Sequence, residues 1–134
     1  MMPDFLLDTN HLGPALEAGS AVRRRIVDLR KAGNRIGICV PVLCEFEIGL
    51  QQVRKPVALR KSLARFLAEI RLWPLDAEAA RLYGSIFLEL RSKGRVLSQV
   101  DMMVAALAKR MGLVVATSDG DFKALPEIRT ENWL

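Results

Sequence analysis

The sequence predicts an α/β fold, a three-layer α/β/α sandwich around a central, mainly parallel sheet. Three observations lead there. Phe5-Leu6-Leu7, Ile36 to Val40 and Leu113-Val114-Val115-Ala116 are short apolar runs without polar alternation, the pattern of strands buried on both faces. Stretches of helical periodicity separate them, and alternating strand and helix implies parallel strands with helices packed on both sides. Cap and stop residues stand where these stretches begin and end.

Taken in order, the first strand ends at Asp8-Thr9-Asn10, and Asp8 can cap the helix that follows. Ser20 caps a helix whose last turn holds Arg30-Lys31, with Gly33 just beyond it. The second strand, Ile36 to Val40, meets Pro41 and feeds a helix with an apolar face of Val42, Leu43, Phe46 and Leu50. Pro56 separates that helix from another running through Leu63, Phe66, Leu67 and Ile70. Asp76 as cap, Glu78 in the first turn, Arg91 and Lys93 near the end and Gly94 as stop define the next. Ser98 caps a helix in which Val100, Met103, Val104, Leu107 and Met111 recur, and Gly112 ends it before the third strand.

No repeat, low-complexity tract or linker divides the 134 residues, so a single domain over 1–134 is expected. With 51% hydrophobic residues the chain can bury a core without disulfides or a structural metal, and the surplus suits an interface. Cys39 and Cys44 lie in an apolar stretch with no His nearby to complete a zinc site, and read as reduced core residues. The longest nearly apolar run, Ile36 to Cys44, falls far short of the roughly 20 residues that span a bilayer. The start has no basic leader and carries Asp4 and Asp8 beside its apolar residues, so a cytoplasmic protein with no membrane role is expected. The formal net charge is +5, with clusters at Arg23-Arg24-Arg25, at Arg54-Lys55 through Arg60-Lys61 to Arg65, and at Arg91, Lys93 and Arg95. Such a surface favours polyanions, although solvated helix faces account for the same residues equally well.

Asp8, Glu45, Asp101 and the Asp119/Asp121 pair are the acids that stand out. Asp8 immediately follows one buried strand and Asp119 comes three residues after another, at the carboxyl ends where open α/β sheets bind ligands. Each acid also has an ordinary role available. Asp8 can be a cap, Asp101 completes a Ser-x-x-Asp capping box with Ser98, and Asp119-Gly120-Asp121 can be a turn. Glu45 and Glu47 flank opposite edges of one apolar helix face, so spacing does not choose between them. Their joint occurrence after strands and at helix starts is what packing does not explain. His11 is the only histidine, a poor basis for a histidine-dependent mechanism.

In order along the chain, Leu6-Leu7-Asp8-Thr9-Asn10, Glu45-Phe46-Glu47-Ile48-Gly49, Asp101 with Val104-Ala105-Ala106-Leu107-Ala108, and Thr117-Ser118-Asp119-Gly120-Asp121-Phe122 resemble the four motifs of PIN-domain nucleases, in particular the VapC toxin group. The resemblance covers nearly the whole chain to Trp133; Phe46 and Met102-Met103 depart from the family's usual aliphatic residues and keep the site apolar. It implies a metal-dependent endoribonuclease, the toxin of a toxin–antitoxin pair, cleaving a tRNA or ribosomal RNA and leaving 5′-phosphate and 3′-hydroxyl ends. Asp8, Glu45 and Asp101 would be its metal-site acids with Asp119 or Asp121 as the fourth, and Thr9, Asn10 and Thr117 would support them. Oxygen ligands without Cys or His suit Mg²⁺ or Mn²⁺. The implied partners are RNA, a second copy in a homodimer, and an antitoxin forming a hetero-oligomer. An antitoxin arginine would enter the acidic pocket while an apolar segment covers the region after Glu45 and the helix from Pro56 to Ile70. The resemblance competes with a PIN-like RNA-binding module lacking catalysis and with a different Mg-dependent α/β phosphohydrolase.

Overall fold

A computed structural model describes residues 2–134. Its centre is a five-stranded sheet in the order β3-β2-β1-β4-β5, and every neighbouring pair is parallel. The strands are β1 (Phe5–Leu7), β2 (Ile36–Cys39), β3 (Arg71–Trp73), β4 (Val114–Ala116) and β5 (Thr130–Glu131). Six α-helices connect them: α1 (Thr9–Ala15), α2 (Ala21–Lys31), α3 (Val40–Gln51), α4 (Val57–Glu69), α5 (Ala77–Ser92) and α6 (Gln99–Met111). A short 3₁₀ turn spans Gly120–Ala124. The three expected strands form, and β1, β2 and β4 are buried along their whole length, as continuous apolar runs require.

Local chemistry sets the boundaries. The Ser20 hydroxyl accepts from Arg23 N at 3.0 Å and donates to Pro14 O at 2.6 Å, starting α2 and tying it to the end of α1. Two helices therefore stand between β1 and β2, capped by Asp8 and Ser20, where the sequence reading gave an extent only to the second. Pro14 and the left-handed Gly19 (φ +81°) break the segment. Val40 opens α3 rather than ending β2, because Pro41 fits a helix's first turn and cannot extend a strand ladder. Asp76 and Ser98 cap α5 and α6 as expected, and Gly112 closes α6 in the left-handed region (φ +69°). The reading of both cysteines as core residues is half right: Cys39 is buried, whereas Cys44 is exposed. Cys44 sits two residues past the buried Val42 and so points roughly to the opposite side of α3.

The core is continuous across both faces of the sheet, with Leu6, Leu7, Ile38, Val104 and Val115 among its fully buried residues and Phe66 and Phe122 its largest. Gly37 is the tightest point. A Cβ there would lie 2.6 Å from Trp73 Cζ3 and 2.8 Å from Arg71 O, so β2 and β3 approach only because this residue has no side chain. Gly37→Ala is expected to destabilise the fold by roughly 1–3 kcal/mol through overpacking. Gly49→Ala in α3, where nothing lies within 4 Å of the new Cβ, should instead be neutral or stabilising. Urea midpoints of the two variants check this, and equal shifts would contradict the packing argument.

Of the basic clusters, Arg23 reaches Glu69, which Arg30 also approaches, Arg25 reaches Glu131, Arg60 grips Glu47 and Lys93 bonds Glu89. These are surface pairs of small energetic value. Arg54, Lys55, Lys61, Arg91 and Arg95 make no ion pair among the described residues, and the chain carries a formal net charge of +5. Among the described residues no helix is long and apolar enough to cross a membrane.

Candidate active site

The strand order determines where a ligand can sit. From β1 the sheet grows one way through β2 and the other way through β4, so the chain connections part on either side of β1 and leave a crevice at the strands' carboxyl ends. Asp8 is the residue after β1, and Thr117 is the residue after β4. Asp8, Thr9, Asn10, Glu45, Ser98, Asp101 and Asp119 line a cleft of about 390 Å³ there. Four carboxylates thus arrive from four places in the fold: the end of β1, the middle of α3, the first turn of α6 and the entry to the 3₁₀ turn.

Asp8 is 3% exposed and held by donors. Its Oδ1 accepts from Thr9 N at 2.9 Å, capping α1, and its Oδ2 accepts from the Thr117 hydroxyl at 2.8 Å and from Asn10 Nδ2 at 3.4 Å. Burial raises its pKa; the bonds from Thr117 and Thr9 pull the other way, and the charges of Glu45 and Asp119 push it up again. Asp101 is capped into place by its own N–H, which donates to Ser98 Oγ at 3.1 Å. Its carboxyl is pushed up to about 7, first by burial and then by the negative charge of Asp8, with Asp119 adding to both the charge and the shared hydrogen bonding. The structural and the chemical roles coexist: Asp101 takes part in its cap through its backbone N–H and keeps its carboxylate for the cleft, whereas Asp8 caps α1 with Oδ1 and still lines the cleft.

The fourth motif separates its two aspartates. Asp119 accepts from Asp121 N at 2.9 Å to start the 3₁₀ turn and lines the cleft, while its own N–H donates to Thr117 Oγ1 at 3.0 Å. Asp121 is exposed and does not line the cleft. Glu45 lines it from α3; Glu47 turns away and is gripped by Arg60 through two bonds of 3.0 and 3.1 Å. Thr117 lies behind Asp8 and is buried. Ser98, read from sequence only as a cap, is also part of the lining, and its Ser-x-x-Asp spacing to Asp101 is the signal that places it there.

The donor set fits a hard divalent cation. All four charged groups are carboxylates, and burial with neighbouring negative charge makes Asp8 and Asp101 harder to ionise in the absence of a cation. Thr9 lines the cleft, and its hydroxyl is buried without a hydrogen-bond partner among the described residues, a polar atom left unsatisfied at the site. Among the described residues no three His, Cys, Asp or Glu side chains are already closed into a ligand cage. The site is an open acidic bowl, which suits an ion that keeps several waters.

A family model described as PIN domain matches residues 5–128. The tRNA(fMet)-specific endonuclease VapC of Shigella flexneri is 29% identical over 98% of this chain and 99% of its own length. Two solved structures share the fold and the length. The VapBC2 complex of Rickettsia felis bound to a promoter DNA fragment superposes with a TM-score of 0.88 at 26% identity, covering 97% of this chain and 98% of that one. DNA-bound VapBC of Salmonella typhimurium gives the same TM-score at 29% identity, covering 99% and 100%. The crevice beside β1, the order of its acids along the chain and the extent of these matches agree: the chain belongs to the PIN domain family, with VapC proteins among its relatives.

Proposed function

We propose that this protein is a metal-dependent endoribonuclease that hydrolyses phosphodiester bonds in structured RNA of the tRNA or ribosomal RNA class, and that it is the toxin of a toxin–antitoxin pair. The observation that supports this most is the convergence of Asp8, Glu45, Asp101 and Asp119 on one cleft at the sheet's crevice, with Thr117 and Asn10 holding Asp8 from behind. A Mg²⁺ or Mn²⁺ ion held by these acids would polarise a phosphoryl oxygen and make a water acidic enough to attack in line. The chain's own contribution is to orient the acids, to keep Asp8 ionisable through three donors, and to gather RNA with the basic residues that carry no ion pair. The cleft alone would repel a phosphate backbone, so net basicity and local acidity serve different parts of one substrate.

The antitoxin reading is supported by the VapBC complexes among the structural relatives. Beside the acidic cleft, and sharing Glu45 with it, lies an apolar groove of about 340 Å³ between α3 and α6, lined by Val40, Pro41, Cys44, Ile48, Val100 and Met103. A partner with an apolar segment in such a groove and an arginine in the cleft would compete with the ion. A second copy of this chain is the other occupant the reading allows, and a cytoplasmic site of action accords with an RNA target.

The test is cleavage of a total tRNA and ribosomal RNA mixture with Mn²⁺, with chelator, and with two variants. Asp119→Asn should lose about 100-fold or more in rate and bind Mn²⁺ more weakly, because it removes a ligand. Asp121→Asn should cleave nearly as wild type. Equal losses would return Asp121 to the site, and cleavage that survives chelation would refute metal dependence.

A further inference from the structure

The only histidine takes no part in the cleft, yet it is 0% exposed and both ring nitrogens are engaged. Nε2 lies 3.0 Å from the backbone N of Trp133, and Nδ1 lies 2.7 Å from Asn10 Oδ1. A backbone N–H can only donate, so Nε2 must present its lone pair. In a neutral ring the proton then sits on Nδ1, which donates to Asn10 Oδ1. A second backbone donor checks the other end: Ser118 N lies 3.2 Å from the same Oδ1, so that atom must be the carbonyl oxygen. With its oxygen committed to His11 and Ser118, the Asn10 amide is turned so that Nδ2 faces Thr117 Oγ1 at 3.2 Å and Asp8 Oδ2 at 3.4 Å.

From this geometry we infer that His11 is a positioning residue: locked into its Nδ1-protonated neutral tautomer by the Trp133 backbone, it fixes the Asn10 amide and so aims the Asp8 carboxylate into the cleft. The reverse tautomer would set two donors, Nε2–H and Trp133 N–H, against each other and turn a lone pair on Nδ1 toward Asn10 Oδ1. Relief of the second clash would require the Asn10 amide to flip, putting its oxygen against Asp8 and its NH₂ against Ser118 N–H, and the first would remain. The orientation of a carboxylate after β1 is thus tied through two side chains to the segment after β5. Burial holds the ring neutral, its pKa pushed down to about 4, so the lock persists throughout the neutral range. Trp133 is itself anchored, its ring 5.3 Å from Phe5 and its indole N–H donating to Glu131 at 2.9 Å, so the donor that sets the tautomer does not wander.

This inference rests on the proposed function only where Asp8 serves as a metal ligand, and the experiment separates the two. Nitrogen-15 NMR of the wild-type ring, without metal, should show the Nδ1-protonated tautomer at neutral pH and unchanged to about pH 5. The Nε2-protonated form, or titration in the ordinary histidine range, overturns the inference. His11→Phe keeps a ring and donates nothing, whereas His11→Asn retains an amide donor near the Nδ1 position; both lose the Trp133 contact. His11→Phe should shift the Asn10 carboxamide resonances and weaken Mn²⁺ binding by about tenfold or more, while His11→Asn stays within about threefold of wild type. A merely structural role would weaken both variants alike, and that result refutes positioning. If wild type binds no Mn²⁺, the metal reading falls instead, and the Asn10 resonances decide: unmoved in His11→Phe, they overturn the lock; moved, they support it.

Discussion

Asp101→Asn is expected to abolish Mn²⁺-dependent RNA cleavage while leaving the circular dichroism spectrum unchanged. The amide keeps the carboxylate's shape, and the cap of α6 survives because it uses Asp101 N–H and Ser98 Oγ rather than the side chain under exchange. What disappears is one of the charges proposed to hold the ion. A loss of at least about 10³-fold is expected, a barrier of roughly 4 kcal/mol. Asp8→Asn should act as severely, with an added fault: an amide NH₂ placed at Oδ2 would face the donors of Thr117 and Asn10. Near-normal cleavage by either folded variant would remove that residue from the metal site.

The second large effect is on stability. In the metal-free folded protein the Asp101 carboxyl titrates near 7, whereas in the unfolded chain it returns to its ordinary value near 3.8. Between those values the folded state holds a proton that the unfolded state has released, so stability is greatest at the acid end of this window and falls as pH rises through it. Asp8 is shifted in the same direction. After discounting for partial solvation, the loss across the window is on the order of 2 kcal/mol. Glu47 and Glu89, held below their ordinary range by Arg60 and Lys93, pull the opposite way at lower pH, so the comparison must be made between variants. Urea midpoints of wild type and Asp101→Asn, measured in chelator from about pH 4 to 7, should converge at the acid end and diverge in favour of the variant toward neutrality. Mn²⁺ should reverse that order by stabilising wild type through mass action. Parallel curves in chelator would show that Asp101 carries no such burden.

The elements legible in the sequence were those with two signals at once. α5 and α6 had caps, charge placement and a stopping glycine in addition to periodicity, and β1, β2 and β4 had unbroken apolar runs. β3 and β5 escaped because they are edge strands of three and two residues in which Arg71, Leu72 and Thr130 face solvent. Their strand identity comes from pairing with β2 and β4, which no local pattern encodes. α1 had a candidate cap in Asp8 but no readable extent, because Gly13 and Pro14 contradict helix propensity and tertiary packing overrides them. At the site, the motifs located the acids, but choosing between Glu45 and Glu47, or between Asp119 and Asp121, depended on which faces Arg60 and the 3₁₀ turn occupy. The His11 contact with Trp133 joins residues 122 positions apart and left no trace in composition or spacing.

The position of β1 in the middle of the sheet bears on how the protein folds. β1 is clasped between β2 and β4, and the bond from Thr117 to Asp8 closes a loop 109 residues long. Contacts of that separation form late and make for a slow, high-contact-order search. No contiguous piece of the chain carries more than a fraction of the carboxylates, so partly folded forms are inert toward the ion. A bound ion would therefore oppose any opening that takes one of these acids out of the cleft, as well as complete unfolding.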